Sequence, residues 1–114
     1  MRSNLKFVDI AKKEGANIIT GGNQILQNTG GYYMEPTVLT NVSSSSTVFN
    51  DEVFGPVLAV SKFKTEEEAI KLANGTEFGL SAGIWTSNLS KAHKMISKVK
   101  AGVVNVNTYG GADM

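Results

Sequence analysis

Glu52-Val53-Phe54-Gly55-Pro56-Val57-Leu58-Ala59-Val60 places an acid and an aromatic ring directly before a Gly-Pro pair and an apolar run directly after it. Gly-Pro interrupts whatever element precedes it. The run that follows is short and β-branched at Val57 and Val60, so it reads as an interior strand. Glu52 and Phe54 then occupy the loop feeding that strand, a placement from which connecting segments often carry function.

Downstream the chain becomes regular. Val57 to Phe63 reads as a strand, Glu66 to Asn74 as a helix, Leu80 to Thr86 as a strand, Leu89 to Val99 as a helix and Val103 to Asn107 as a strand. Thr65 stands three residues before Glu68, the spacing of a capping box in which hydroxyl and carboxylate each satisfy a backbone N–H. Asn74-Gly75 closes that helix. In the second helix Leu89, Ala92, Ile96 and Val99 share one face while Lys91, Lys94 and Lys98 lie away from it, as expected of a helix packed on a sheet. Two such crossovers imply parallel strands with right-handed connections. The fold class is therefore α/β, with a βαβαβ parallel-sheet portion.

Upstream of the Gly-Pro pair, Leu5, Phe7, Val8, Ile10 and Ala11 have helical spacing over Asn4 to Glu14, closed by Gly15. Ala16 to Thr20 reads as a short strand entering the turn Gly21-Gly22-Asn23. Gly30-Gly31 marks another turn, and Tyr32 to Leu39 is strand-like, with Pro36 pointing to a sheet edge. Ser43 to Ser46 reads as a polar loop or cap before Val48-Phe49.

Composition narrows the function. The 114 residues are 41% hydrophobic and 18% charged, one domain's worth of an ordinary globular protein. A net charge of +1, with cations scattered among acids, provides no basic stripe for nucleic acid or an anionic membrane. No apolar run approaches the roughly 18 residues of a membrane span, and Met1 to Leu5 lacks an apolar signal core, so a cytoplasmic location is expected. The Asn-x-Ser/Thr triplets at Asn41, Asn74 and Asn88 would matter only in a secreted chain. There is no cysteine, which excludes disulfides, thiolate metal sites and a cysteine nucleophile within these residues.

Other candidates have plainer readings. Gly21-Gly22 and Gly30-Gly31 extend into no phosphate-cradling motif and read as turns. His93, the single histidine, flanks an apolar stripe on a lysine-rich helix and reads as a solvated side chain; no metal site is expected. Glu66-Glu67-Glu68 suits the positive end of a helix dipole. Trp85 and Phe78 read as packing residues. Glu52 with Phe54 differs, because residues two apart in extended chain face the same way. A carboxylate can accept hydrogen bonds from the vicinal hydroxyls of a ribose, and a phenyl ring can lie against a flat heteroaromatic base. A surface acid preceding a core phenylalanine remains the alternative on spacing alone.

The chain resembles the aldehyde dehydrogenase superfamily over most of its length. The resemblance lies in Gly31-Tyr32-Tyr33-Met34-Glu35-Pro36-Thr37-Val38, Asp51-Glu52-Val53-Phe54-Gly55-Pro56-Val57, Glu68-Ala69-Ile70-Lys71-Leu72-Ala73-Asn74, Phe78-Gly79-Leu80-Ser81-Ala82-Gly83-Ile84-Trp85-Thr86 and Ala101-Gly102-Val103-Val104-Asn105-Val106-Asn107, in that order. It implies the later part of a catalytic domain spanning residues 1–114, with an N-terminal helix and short strands beside the βαβαβ portion. It also implies that Glu52 binds the nicotinamide ribose hydroxyls, that Phe54 packs near the nicotinamide ring and that Leu80 walls the same pocket.

The implied reaction is attack by a cysteine thiolate on an aldehyde, hydride transfer to NAD or NADP and hydrolysis of the thioester by glutamate-activated water. None of those catalytic roles matches a residue here, so the expectation is an inactive fragment of an aldehyde-oxidising enzyme. The chain stops just after a strand's carboxyl end, where parallel sheets build their sites, and so reads as part of something longer. The resemblance further implies a homo-oligomer, dimer or tetramer, and places Tyr109 to Asp113 near the mouth of the aldehyde tunnel. There the sequence departs from the pattern, with Asn105 where a tryptophan is common and Ala112 where many members have a bulky aromatic residue. The Gly-Gly-Ala-Asp ending faintly resembles aminoaldehyde-type members. The alternative function is a self-standing α/β binding or oligomerisation module, favoured if exposed sheet edges drive association.

Overall fold

The computed structural model describes residues 1–108, and the chain divides into two compact units, Met1–Lys62 and the unit beginning at Phe63. In the first, α1 (Arg2–Lys13) turns Val8 and Ala11 inward, three residues apart on one helical face, and ends where Gly15 adopts a φ of 96°. Strand β1 (Asn17–Thr20) runs antiparallel to β4 (Thr37–Thr40), with an irregularity between Ile18 and Thr20. Strand β5 (Val57–Ala59) runs parallel to β4 on its other side, pairing Thr37 with Val57 and Leu39 with Ala59.

Two expectations are corrected here. Tyr32 to Leu39 is not one strand but two, β3 (Tyr33–Met34) and β4, broken at Glu35-Pro36. Pro36 does not mark an edge, because β4 is the central strand of the β1-β4-β5 sheet. The proline precedes β4, where its missing N–H costs no ladder hydrogen bond. Beside it β2 (Gln24–Ile25) pairs with β3 in a small antiparallel ribbon whose connection contains a 3₁₀ turn at Gln27–Thr29.

The Glu35-Pro36 break is tied to the Gly21-Gly22 turn. Thr37 Oγ1 accepts the Gly22 N–H at 2.8 Å and donates to the Glu35 carbonyl at 2.9 Å. Gly21 has a φ of 74°, and a Cβ there would collide with the Pro36 carbonyl and lie 2.8 Å from Thr37 Oγ1. Only glycine meets both conditions.

Along β4 burial alternates, with Thr37 and Leu39 inside. Leu39 joins Val8, Ala11, Ala16, Val42 and Val48 in the core, against which Ile18, Met34, Phe49, Val53 and Val57 pack. Val48 belongs to α2 (Thr47–Asn50), whose start is capped from a distance: the Glu14 carboxylate accepts the Thr47 N–H at 2.8 Å and its hydroxyl at 2.7 Å. The serine patch forms the turn before α2, with the Ser46 hydroxyl donating to the Ser43 carbonyl at 2.7 Å.

The second unit carries α3 (Glu66–Ala73), β6 (Ser81–Ile84), α4 (Leu89–Ile96) and β7 (Val103–Val106). The expected order of strand, helix, strand, helix, strand from Pro56 onward is present, and β6 and β7 are parallel in the register Ser81 to Val103 and Gly83 to Asn105. However, β5 belongs to the β1-β4-β5 sheet, so among the described residues only one of the two expected crossovers, that through α4, joins two paired strands. Thr65 caps α3 by accepting the Glu68 N–H at 3.1 Å. The Glu68 carboxylate reaches one residue further back than a standard box, to the Lys64 N–H at 2.7 Å. Helix α4 stops at Ile96 rather than Val99; of its stripe Ala92 is buried and Leu89 exposed.

Candidate functional site

The segment between α2 and β5 runs out of the core and back into it. Val53 packs against the core cluster while its neighbours Glu52 and Phe54 are exposed, the ring 84% so. Burial therefore alternates across these three residues, but the backbone is not uniformly extended. Phe54 has a φ of 51°, in the left-handed region that a bulky residue enters only against steric resistance. Immediately after it, the Val57 N–H donates to the Gly55 carbonyl at 2.7 Å across Pro56, closing a tight three-residue turn.

The strand that follows corrects the reading of a buried run. Leu58 is 60% exposed and Ala59 is exposed, because β5 has β4 as its ladder partner and the β5 face carrying Leu58 is uncovered. An apolar, β-branched run signals that a strand can be buried, but the covering layer must come from elsewhere.

From α1, the Asn4 side chain donates to the Phe54 carbonyl at 3.4 Å. Among the described residues no hydrogen bond or ion pair engages the Glu52 carboxylate, leaving its oxygens open to a ligand. An exposed carboxylate and an exposed phenyl ring on one loop anchored by Val53 offer the two chemistries that suit a vicinal diol and a flat heteroaromatic ring.

Leu80 lies in the second unit, directly before β6, and is 88% exposed. Its backbone is held firmly: the Val103 N–H donates to the Leu80 carbonyl at 3.2 Å and the Gly102 N–H to the Gly79 carbonyl at 2.8 Å. With Phe78, Val99 and Ala101 it lines a hollow of about 260 Å³. Asn105 is half-buried on β7, while Tyr109 to Asp113 lie outside the described residues.

Other polar features of this unit are structural, and several had no sequence signature. Asn107 mimics a strand with its side chain, its Oδ1 accepting the Thr86 N–H and its Nδ2 donating to the Thr86 carbonyl, both at 2.9 Å. Asn74 bridges Lys98 and Lys100, accepting the Lys100 N–H and donating to the Lys98 carbonyl, both at 2.8 Å. The Lys94 ammonium lies 2.8 Å from one Glu66 oxygen and 3.4 Å from Glu67, and Lys91 lies 3.3 Å from the other Glu66 oxygen. Hydrogen bonding from Lys94 and then Lys91 holds the Glu66 carboxyl below its ordinary value, and the Glu66 hydrogen bond raises Lys94. The Glu66 to Glu68 run thus joins two helices as well as meeting a dipole. His93 is exposed, and among the described residues no three metal-ligating side chains gather.

A family model described as the aldehyde dehydrogenase family matches residues 1–114. Aldehyde dehydrogenase B of Escherichia coli strain K12 is 49% identical over 108 residues, covering 92% of this chain and 21% of that protein. Peroxisomal aminoaldehyde dehydrogenase 2 of Pisum sativum is 47% identical over 103 residues, covering 90% of this chain and 20% of that protein. Among solved structures, an indole-3-acetaldehyde dehydrogenase complexed with NAD+ superposes with a TM-score of 0.95 at 46% identity, over 98% of this chain and 23% of that one. The chain thus spans about a fifth of the length of the relatives it matches.

Proposed function

The chain belongs to the aldehyde dehydrogenase family, and from that membership we propose that residues 1–114 form part of a catalytic domain that oxidises an aldehyde to a carboxylic acid with NAD or NADP. The observation that carries this reading is the loop at Glu52-Val53-Phe54, where the acid and the ring are both exposed, the ring 84% so. Glu52 accepts hydrogen bonds from the nicotinamide ribose hydroxyls, Phe54 packs beside the nicotinamide ring, and Leu80 contributes an apolar wall. When bound, the dinucleotide accepts the hydride that leaves the aldehyde carbon.

These residues position and desolvate; they do not attack the substrate. The reaction's thiolate nucleophile cannot come from these 114 residues, which contain no cysteine. The complete enzyme acts as a cytosolic homo-oligomer, a dimer or tetramer, a state that the exposed Tyr33 of the β2-β3 ribbon and the exposed Tyr32 before it favour. Its substrate is a small-molecule aldehyde, with the aminoaldehyde class suggested by the pea relative.

Two measurements test the reading. The isolated 114-residue chain is expected to produce no steady NADH from an aldehyde panel; turnover would refute the reading of an inactive part of a larger enzyme. In the complete enzyme, Glu52→Gln is expected to weaken NAD+ binding about tenfold or more, as the loss of one charge-assisted hydrogen bond of about 1.5–3 kcal/mol predicts. Unchanged affinity together with unchanged turnover would make Glu52 a surface acid.

A further inference from the structure

We propose that Asn4, on the first turn of α1 and fifty residues away in sequence, is the positioning residue that holds the Glu52–Phe54 loop in its ligand-presenting form. The inference rests on the reading of that loop as the nicotinamide-side wall and extends it to a residue outside the loop.

The first observation is conformational. Phe54 sits at a φ of 51°, a left-handed geometry that a large aromatic residue does not hold unaided. Val53 anchors the loop on one side through the core, and the tight turn at Gly55-Pro56 constrains it on the other. What remains is the Phe54 carbonyl, to which Asn4 Nδ2 donates at 3.4 Å.

The second observation is spatial and independent of that hydrogen bond. A Cβ built on Gly55 would run into Asn4 Nδ2 and lie 2.6 Å from Asn4 Cγ. Gly55 has no positive φ, so its backbone conformation does not demand glycine. The space that a larger residue would need is occupied by the Asn4 amide. Asn4 and Gly55 therefore form a matched pair: the missing side chain at Gly55 admits the amide, and the amide secures the carbonyl of the preceding residue.

This pairing makes an unusual mutational prediction. Gly55→Ala should act by displacing the flexible Asn4 side chain, and so should do little once that side chain is gone. In the complete enzyme, Asn4→Ala and Gly55→Ala are each expected to raise the NAD+ dissociation constant roughly two- to tenfold, the range of one ordinary hydrogen bond. The double variant should bind no more weakly than either single one, a coupling that separate sites would lack. Aldehyde KM should stay unchanged, which a general loss of structure would not allow.

Calorimetric titration with NAD+ reads the dissociation constants and their coupling, and steady-state kinetics reads the aldehyde KM. Asn4→Leu, similar in volume but without the amide, checks that any loss follows from the donor rather than from a void, and should match Asn4→Ala. If Glu52→Gln weakens NAD+ while Asn4→Ala and Asn4→Leu do not, the positioning role is wrong and the wall stands. Additive losses in the double variant would also overturn it. If Glu52→Gln leaves both NAD+ affinity and turnover intact, the underlying reading itself fails.

Discussion

Among the described residues the first unit gathers six buried apolar side chains, Val8, Ala11, Ala16, Leu39, Val42 and Val48, whereas Ala92 stands alone in the second. The first is held as small domains usually are, by side chains removed from water on several elements at once. The second is held by a parallel ladder, by caps at Thr65 and Asn88, and by polar bridges at Asn74 and Asn107, while Leu80, Trp85 and Leu89 stay exposed. Well-formed elements and a well-filled core are therefore separable. Local capping and pairing specify where an element lies, but a large share of folding free energy comes from buried apolar area.

The most severe test of this contrast is a pair of truncations. Leu39→Ala, in the centre of the first core, should destabilise the 114-residue chain by about 2–5 kcal/mol in urea unfolding. Leu89→Ala, 73% exposed, should change stability by no more than about 0.5 kcal/mol. Equal costs would mean that the second unit buries more than its surface indicates.

A smaller effect is expected at Asn74, whose side chain replaces two backbone partners at Lys98 and Lys100. Asn74→Ala should cost about 1–2 kcal/mol. Its signature is faster amide exchange at Lys100 with no change at Leu39. Exchange accelerated in both units alike would break the separation.

The ion pairs should matter least. Because Glu66 is held below its ordinary 4.5 by Lys94 and Lys91, its contribution is present above pH 4.5 and disappears as pH falls through the lowered value. Lys94 is raised above 10.5 chiefly by Glu66, so its contribution is present below 10.5 and lost as pH rises through the raised value. Both groups face solvent, and added salt should screen much of the effect. Lys94→Met is expected to flatten the acid limb of the stability profile attributable to Glu66; an unaltered limb would assign it elsewhere.

How legible these features were depends on the range of the interactions involved. The order of strands and helices from Pro56 to Asn107 follows from periods of two and 3.6 and from capping residues a few positions apart, all local information. The same is true of the exposed pair Glu52 and Phe54 around an inward Val53. Pro36 misled because proline reports only that its own N–H is missing, not which strands will flank the residues after it. Leu58 misled because an apolar strand declares a tendency to be buried without supplying the cover. Asn4 carried no signal, since its partner at Phe54 is fifty residues distant and its fit depends on an absent side chain at Gly55.

By itself, then, the sequence determined the alternation of elements, the turns, the family resemblance and the loop on which an acid and a ring stand together. Tertiary structure decided that β4 is central, that Phe54 turns left-handed, that Asn4 reaches its carbonyl, and that apolar burial concentrates in one unit. The physical reason is reach. Backbone preferences and helix caps act within a few residues and are written consecutively, whereas pairing, packing and exclusion act between atoms that only folding brings together.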